Sequence, residues 1–195
     1  MFKEEMVLVV DFYDSFTFNL VHYFENAGEQ VEIVCHDHLI IESLIKYSLV
    51  VLSPGPGLPH EKENMFECIA FCHSNKIPLF GVCLGFQALA IFLGGELINQ
   101  KEVKHGKSEP LASISRDSVL LFGIPIGTAV GLYHSWKICG LDKKYITANS
   151  INQIAMALES KDDKIFGVQF HPESILTEKG MSVIQNLVNW KNHDQ

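Results

Sequence analysis

The chain has 195 residues, 47% hydrophobic and 19% charged, which is ample apolar material for one core and too little charge for a disordered chain. Its formal net charge is −8 and Arg116 is the single arginine among 15 basic residues, a balance that argues against nucleic acid as a partner. Five cysteines, an odd number with no C-x-x-C pair, and an apolar run at 6–10 too short for a signal or membrane segment point to a reduced, cytoplasmic protein with free thiols. The length suits one domain over residues 1–195, with no membrane partner.

In chain order, residues 6–10 read as a buried strand and 17–27 as a helix with Phe18, Val21 and Phe24 at helical spacing. A strand follows at 31–34, a short helix at 39–45 and a strand at 49–52. The segment Ser53-Pro54-Gly55-Pro56-Gly57 then breaks regular structure. Asn64 is placed to cap a helix reaching about residue 73, residues 78–82 form a fourth strand, and 84–93 form a helix that Gly94-Gly95 ends. Further on, strands are expected at 112–115, 119–122, 128–132, 154–158 and 164–170, some antiparallel because the gaps are too short for crossover helices, with a closing helix at 181–190. The expected architecture is α/β: a three-layer open sheet, mostly parallel with an antiparallel extension, and helices on both faces.

The most informative stretch is Gly81-Val82-Cys83-Leu84-Gly85-Phe86-Gln87. An apolar strand ends at a cysteine flanked by glycines and a helix begins at once, the layout of a nucleophile elbow with Cys in place of Ser. The small neighbours let strand and helix approach closely, and a thiol at a helix N-terminus is favoured as thiolate. Alone, the motif is equally compatible with Cys83 as a small buried hydrophobe. A metal site is disfavoured, since no second Cys or His lies at ligand spacing from Cys83.

A thiolate nucleophile needs a base and a group to orient that base, and Gln169-Phe170-His171-Pro172-Glu173-Ser174 supplies both. His171 falls at a strand end before a proline, and Glu173 is near enough to hold its tautomer. Two glycines in the 53–57 loop leave backbone N–H groups open to a developing oxyanion, as does Leu84 at the helix start. The loop lacks the glycines and the lysine of a phosphate cradle.

Together, residues 81–87 and 169–174 resemble the class I (triad) glutamine amidotransferases. Within that class, residues 11–20, 53–57, His105-Gly106-Lys107 and Tyr133-His134-Ser135 resemble the chorismate-linked branch, the small subunits of anthranilate synthase and 4-amino-4-deoxychorismate synthase. The resemblance implies Cys83 as nucleophile, His171 as proton shuttle and Glu173 as its orienting partner. It implies oxyanion-hole amides from Gly57 and Leu84, a wall shaped by Gly55 and Pro56, and a glutamine site made by Gln87 with the backbone of Ser135 and Trp136. Tyr133 and His134 are expected to position or to contact a partner. Phe86, Trp136 and Gly131-Leu132 depart from the branch, where His, Leu and a basic residue are usual. The implied activity is hydrolysis of L-glutamine to glutamate and ammonia, with ammonia passed to a chorismate-utilising synthase large subunit. No cofactor or metal is expected in this chain, Mg²⁺ being expected in the partner. Rival readings are the amidotransferase component of another synthase such as guanylate synthase, a cysteine peptidase or stress-type hydrolase with a similar elbow, and a non-catalytic regulatory subunit. Gln87 and the Pro-Gly loop favour glutamine over the hydrolase, and the presence of all three triad residues disfavours the regulatory reading.

Overall fold

The computed structural model describes residues 6–193, with only the backbone path at 101–104. Among the described residues, nine strands lie in the order β2-β1-β3-β4-β9-β8-β7-β5-β6. Five of them, β1 (Met6–Asp11), β2 (Gln30–Cys35), β3 (Leu49–Leu52), β4 (Leu79–Val82) and β9 (Ile165–Val168), pair in parallel. The antiparallel extension runs through β8 (Ala155–Ser160), β7 (Ile146–Ser150), β5 (Glu96–Ile114) and β6 (Ala129–Cys139). The α-helices among these residues are α1 (Thr17–Asn26), α2 (Met65–Ser74), α3 (Leu84–Phe92) and α4 (Gly180–His193).

The continuous apolar runs of β1, β3 and β4 follow from burial on both faces, because successive side chains of a strand point to opposite sides. Val7, Val9, Leu49, Val51, Phe80 and Val82 pack with Leu20, Val21 and Phe24 of α1 and with Val183, Ile184 and Leu187 of α4. Their alternates Leu8, Val10, Val50, Leu52 and Leu79 pack with Met65, Cys68, Ile69 and Cys72 of α2 and with Leu84, Phe86 and Leu89 of α3. Three layers result, as the expected architecture requires. Cys68 and Cys72 are fully buried in the second core, and the neighbouring Cys72 together with burial holds the Cys68 thiol well above its usual range.

Four local expectations change. Residues 119–122 form turns, not a strand. The buried Glu159 carboxylate accepts from Val119 N at 2.8 Å, Leu120 N at 3.2 Å and Ser118 Oγ at 2.5 Å, taking donors that a ladder would have used. The helix expected at 39–45 is a pair of 3₁₀ segments, His36–His38 and Ile41–Lys46, separated by extended residues. Asn64 precedes α2 in a left-handed conformation, and its side chain donates to His36 O at 2.8 Å and caps nothing in its own helix. Finally, β7 has no counterpart among the expected strands, and β5 runs 19 residues instead of four.

Candidate active site

The site forms where the parallel strands end. Strand β4 stops at Val82 and α3 begins at Leu84, so Cys83 makes the entire turn with φ 51° and ψ −95°. A positive φ is costly for a residue with a Cβ, and such strain persists only where the surroundings enforce it. Here the enforcement is visible on both sides. Cys83 N donates to Val168 O at 2.9 Å, extending the β4–β9 ladder into the turn, and Cys83 O accepts from Gln87 N at 3.0 Å to start the helix. The flanking glycines are steric requirements: a Cβ on Gly81 would lie 2.4 Å from Gly85 C, and one on Gly85 would lie 2.3 Å from Leu52 O. The helix therefore sits on the strands at backbone contact.

A cleft of about 270 Å³ opens beside this turn, at the small end of the range for ligand pockets. Its lining brings together Cys83, Leu84 and Gln87 from the elbow, Gly55, Pro56 and Gly57 from the loop after β3, and Ser135 and Trp136 from β6. Every residue expected to bind glutamine or receive the oxyanion thus borders one space, while His171 and Glu173 lie behind its lining. The loop is fixed from below, because Ser53 Oγ accepts from Phe12 N at 3.0 Å and donates to Pro54 O at 2.7 Å. Gly55 approaches Phe12 and Leu84 so closely that a Cβ would lie 2.7 Å and 2.8 Å from their side chains. Leu84, as the first residue of α3, carries an amide that has no partner within the helix and lies at the positive end of its dipole.

His171 and Glu173 complete the site from the segment that follows β9, the strand next to β4. His171 Nδ1 lies 2.7 Å from Glu173 Oε1, and both side chains are almost fully buried. Burial alone would lower the pKa of the ring, but the charge of Cys83 and the hydrogen bond and charge of Glu173 outweigh it, and the His171 pKa is pushed from 6.5 to about 10. Its Nε2 is buried without a hydrogen bond, which leaves Cys83 acting on the ring chiefly through charge. The segment carrying the ring is held tightly. His171 N donates to Gly131 O at 3.0 Å, Thr177 Oγ1 donates to His171 O at 2.6 Å, and Gly131 N donates to Thr177 Oγ1 at 2.9 Å. Gly131, where the branch usually has a basic residue nearby, faces this loop at a distance that excludes a side chain: a Cβ would lie 2.9 Å from Leu176 Cβ.

Four further residues border the cleft, two of which carry no role predicted from the sequence. Leu58 and Glu61 join the lining; Glu61 Oε2 accepts from Leu58 N at 2.8 Å and occupies the space beside Gly57. The available signal for Glu61 is the Pro59 and Glu61 spacing of a helix start, masked by the turn-rich residues before it. Tyr133 and His134 also border the cleft. The Tyr133 ring packs edge-on to His171 with centroids 4.9 Å apart, its hydroxyl is 3.0 Å from Ser174 Oγ, and Phe16 joins the cluster 5.2 Å from His171 and 5.1 Å from Tyr133. The arrangement offers a nucleophilic sulfur, a proton carrier with an orienting carboxylate, and backbone amides at a helix N-terminus around one small cleft.

Residues 8–190 match the family model described as glutamine amidotransferase class-I. The chain is 39% identical over 191 residues to a multifunctional tryptophan biosynthesis protein of Pichia angusta; the match covers 94% of this chain and 51% of that protein, so the chain spans about half of its length. It is 36% identical over 189 residues to the aminodeoxychorismate/anthranilate synthase component 2 of Bacillus subtilis strain 168, covering 94% of this chain and 95% of the relative. Among solved structures, a Thermoplasma acidophilum protein described as a GMP synthase subunit superposes with a TM-score of 0.83, covering 97% of this chain and 95% of that one at 22% identity. An identity that low carries the fold and no more.

Proposed function

The chain belongs to the class-I glutamine amidotransferase family, and from that premise we propose that it hydrolyses L-glutamine through a thioester on Cys83 and supplies the ammonia to a chorismate-utilising synthase. The observation that carries the chemistry is the convergence of Cys83, the Pro-Gly loop, Gln87 and residues 135–136 on one cleft, with the buried His171–Glu173 pair acting on the same sulfur.

The Cys83 thiolate adds to the side-chain amide carbon of glutamine, and the carbonyl electrons move onto oxygen. Gly57 and Leu84 N–H groups receive that oxyanion, each contributing about 10²- to 10³-fold in rate. With its pKa raised to about 10, His171 rests as imidazolium at neutral pH and holds the proton that the leaving nitrogen needs. Collapse of the oxyanion expels ammonia and leaves the thioester and a neutral ring. His171 then takes a proton from water as the hydroxide adds to the thioester carbon. The second collapse breaks the C–S bond, releases glutamate and restores thiolate and imidazolium. Glu173 fixes the ring tautomer throughout and balances its charge.

The choice of acceptor rests on the relatives: the B. subtilis protein is named for aminodeoxychorismate and anthranilate synthases, and the P. angusta protein for tryptophan biosynthesis. The guanylate-type likeness stands only at the level of fold. Reconstitution tests the assignment. Purified chain mixed with a chorismate-utilising synthase, chorismate and Mg²⁺ is expected to support glutamine-dependent formation of an aminated chorismate product. Product formation from free ammonium salts but never from glutamine, with each such synthase tried, contradicts it.

A further inference from the structure

Gln169 is wholly buried and, among the described residues, is the one polar side chain apart from His171 set against the proposed nucleophile from strand β9 and its continuation. Its Nε2 donates to Cys83 Sγ at 3.7 Å, and its Oε1 accepts from Gln87 Nε2 at 3.2 Å. Gln87 Nε2 also points at Trp136 O, 3.5 Å away. We propose that this chain of amides, anchored on the Trp136 carbonyl, makes Gln169 an obligate hydrogen-bond donor to Cys83 and so stabilises its thiolate.

The direction of the chain follows from donor and acceptor chemistry. A backbone carbonyl can only accept, so Gln87 must turn its NH₂ toward Trp136. The same NH₂ group then meets Gln169, which must offer its oxygen. That choice places the Gln169 NH₂ at the sulfur, and a sulfur that receives an N–H is favoured as the anion. The two backbones are fixed beside each other, since Gln169 N donates to Met156 O at 2.9 Å and Cys83 N to Val168 O at 2.9 Å. The arrangement also links a residue of the glutamine cleft to the reacting atom, so a rearrangement of Gln87 is felt at Cys83. The other charged or titratable groups around this cleft are His171 with Glu173 behind it, Glu61, Tyr133 and His134, together with the N-terminal end of α3.

The inference rests on Cys83 being the nucleophile, and the test separates the two. Site-resolved alkylation of Cys83 by iodoacetamide, followed by mass spectrometry against pH in the full-length chain, reads the midpoint at which the thiolate forms. Gln169→Met keeps the length and removes the donor, and Gln169→Leu removes it with a change of shape. Loss of a hydrogen bond to a charged group is expected to raise the midpoint by about one pH unit in both variants. A purely packing role leaves the midpoint of the length-preserving Gln169→Met at the wild-type value. An unchanged midpoint in Gln169→Met overturns the inference. Glutaminase activity surviving in Cys83→Ala overturns the parent reading instead.

Discussion

Glu173 Oε1 sits 2.7 Å from His171 Nδ1, both side chains almost fully buried, with Glu173 supplied only two residues along the chain from the ring it orients. The connection is packed against the start of α4, where Gly180 approaches the Pro172 carbonyl so closely that no Cβ fits.

Replacing Glu173 by Gln keeps the shape and removes the charge. Glutaminase kcat is expected to fall by roughly 10²- to 10⁴-fold, the range of general acid–base contributions, with KM for glutamine little changed. Steady-state glutamate release in the presence of the synthase checks this; a variant with unchanged kcat leaves Glu173 without a role in turnover.

The raised His171 pKa has a consequence for stability. The folded chain holds a proton on the ring up to about pH 10, whereas an unfolded histidine releases it near 6.5. Between those values the native state binds more protons than the unfolded one, so stability falls as pH rises. The contribution is fully present below 6.5 and lost as pH passes through about 10. Urea midpoints for the wild type and His171→Gln, measured across that window, are expected to draw together toward high pH; a gap that widens there contradicts the assignment.

Gly85→Ala would force a Cβ to 2.3 Å from the Leu52 carbonyl, an immovable backbone atom. We expect a loss of about 1–3 kcal/mol or more, as for overpacked cores, together with loss of activity from a displaced elbow. Chemical denaturation gives the first quantity and glutamate release the second. Wild-type stability in this variant contradicts the close approach of α3 to β3.

Much of the fold is legible in the sequence, for physical reasons that differ by region. The parallel strands are short and doubly buried, so their apolar runs are unbroken, and the elbow advertises itself because only glycines tolerate its contacts. The extension is less legible. Strand β5 is largely polar over 99–110 and is held by pairing with β6, while β7 carries bulges against both neighbours that break the alternation. Residues 119–122 look like a strand and are not one, because their amides are claimed by Glu159, a partner 40 residues away in the case of Val119. The triad and the glutamine-facing residues are nameable from motifs. Glu61 and the tie of Gln169 to Cys83 depend on side chains meeting across elements, which spacing along the chain does not encode.

Turnover, on this account, passes through the Cys83 sulfur. The most direct test is glutamate release from purified Cys83→Ala beside the wild type, each with and without the synthase. Release is expected from the wild type with the synthase and none from the variant under either condition; glutamate formed by Cys83→Ala at a rate near that of the wild type rules out Cys83 as the nucleophile.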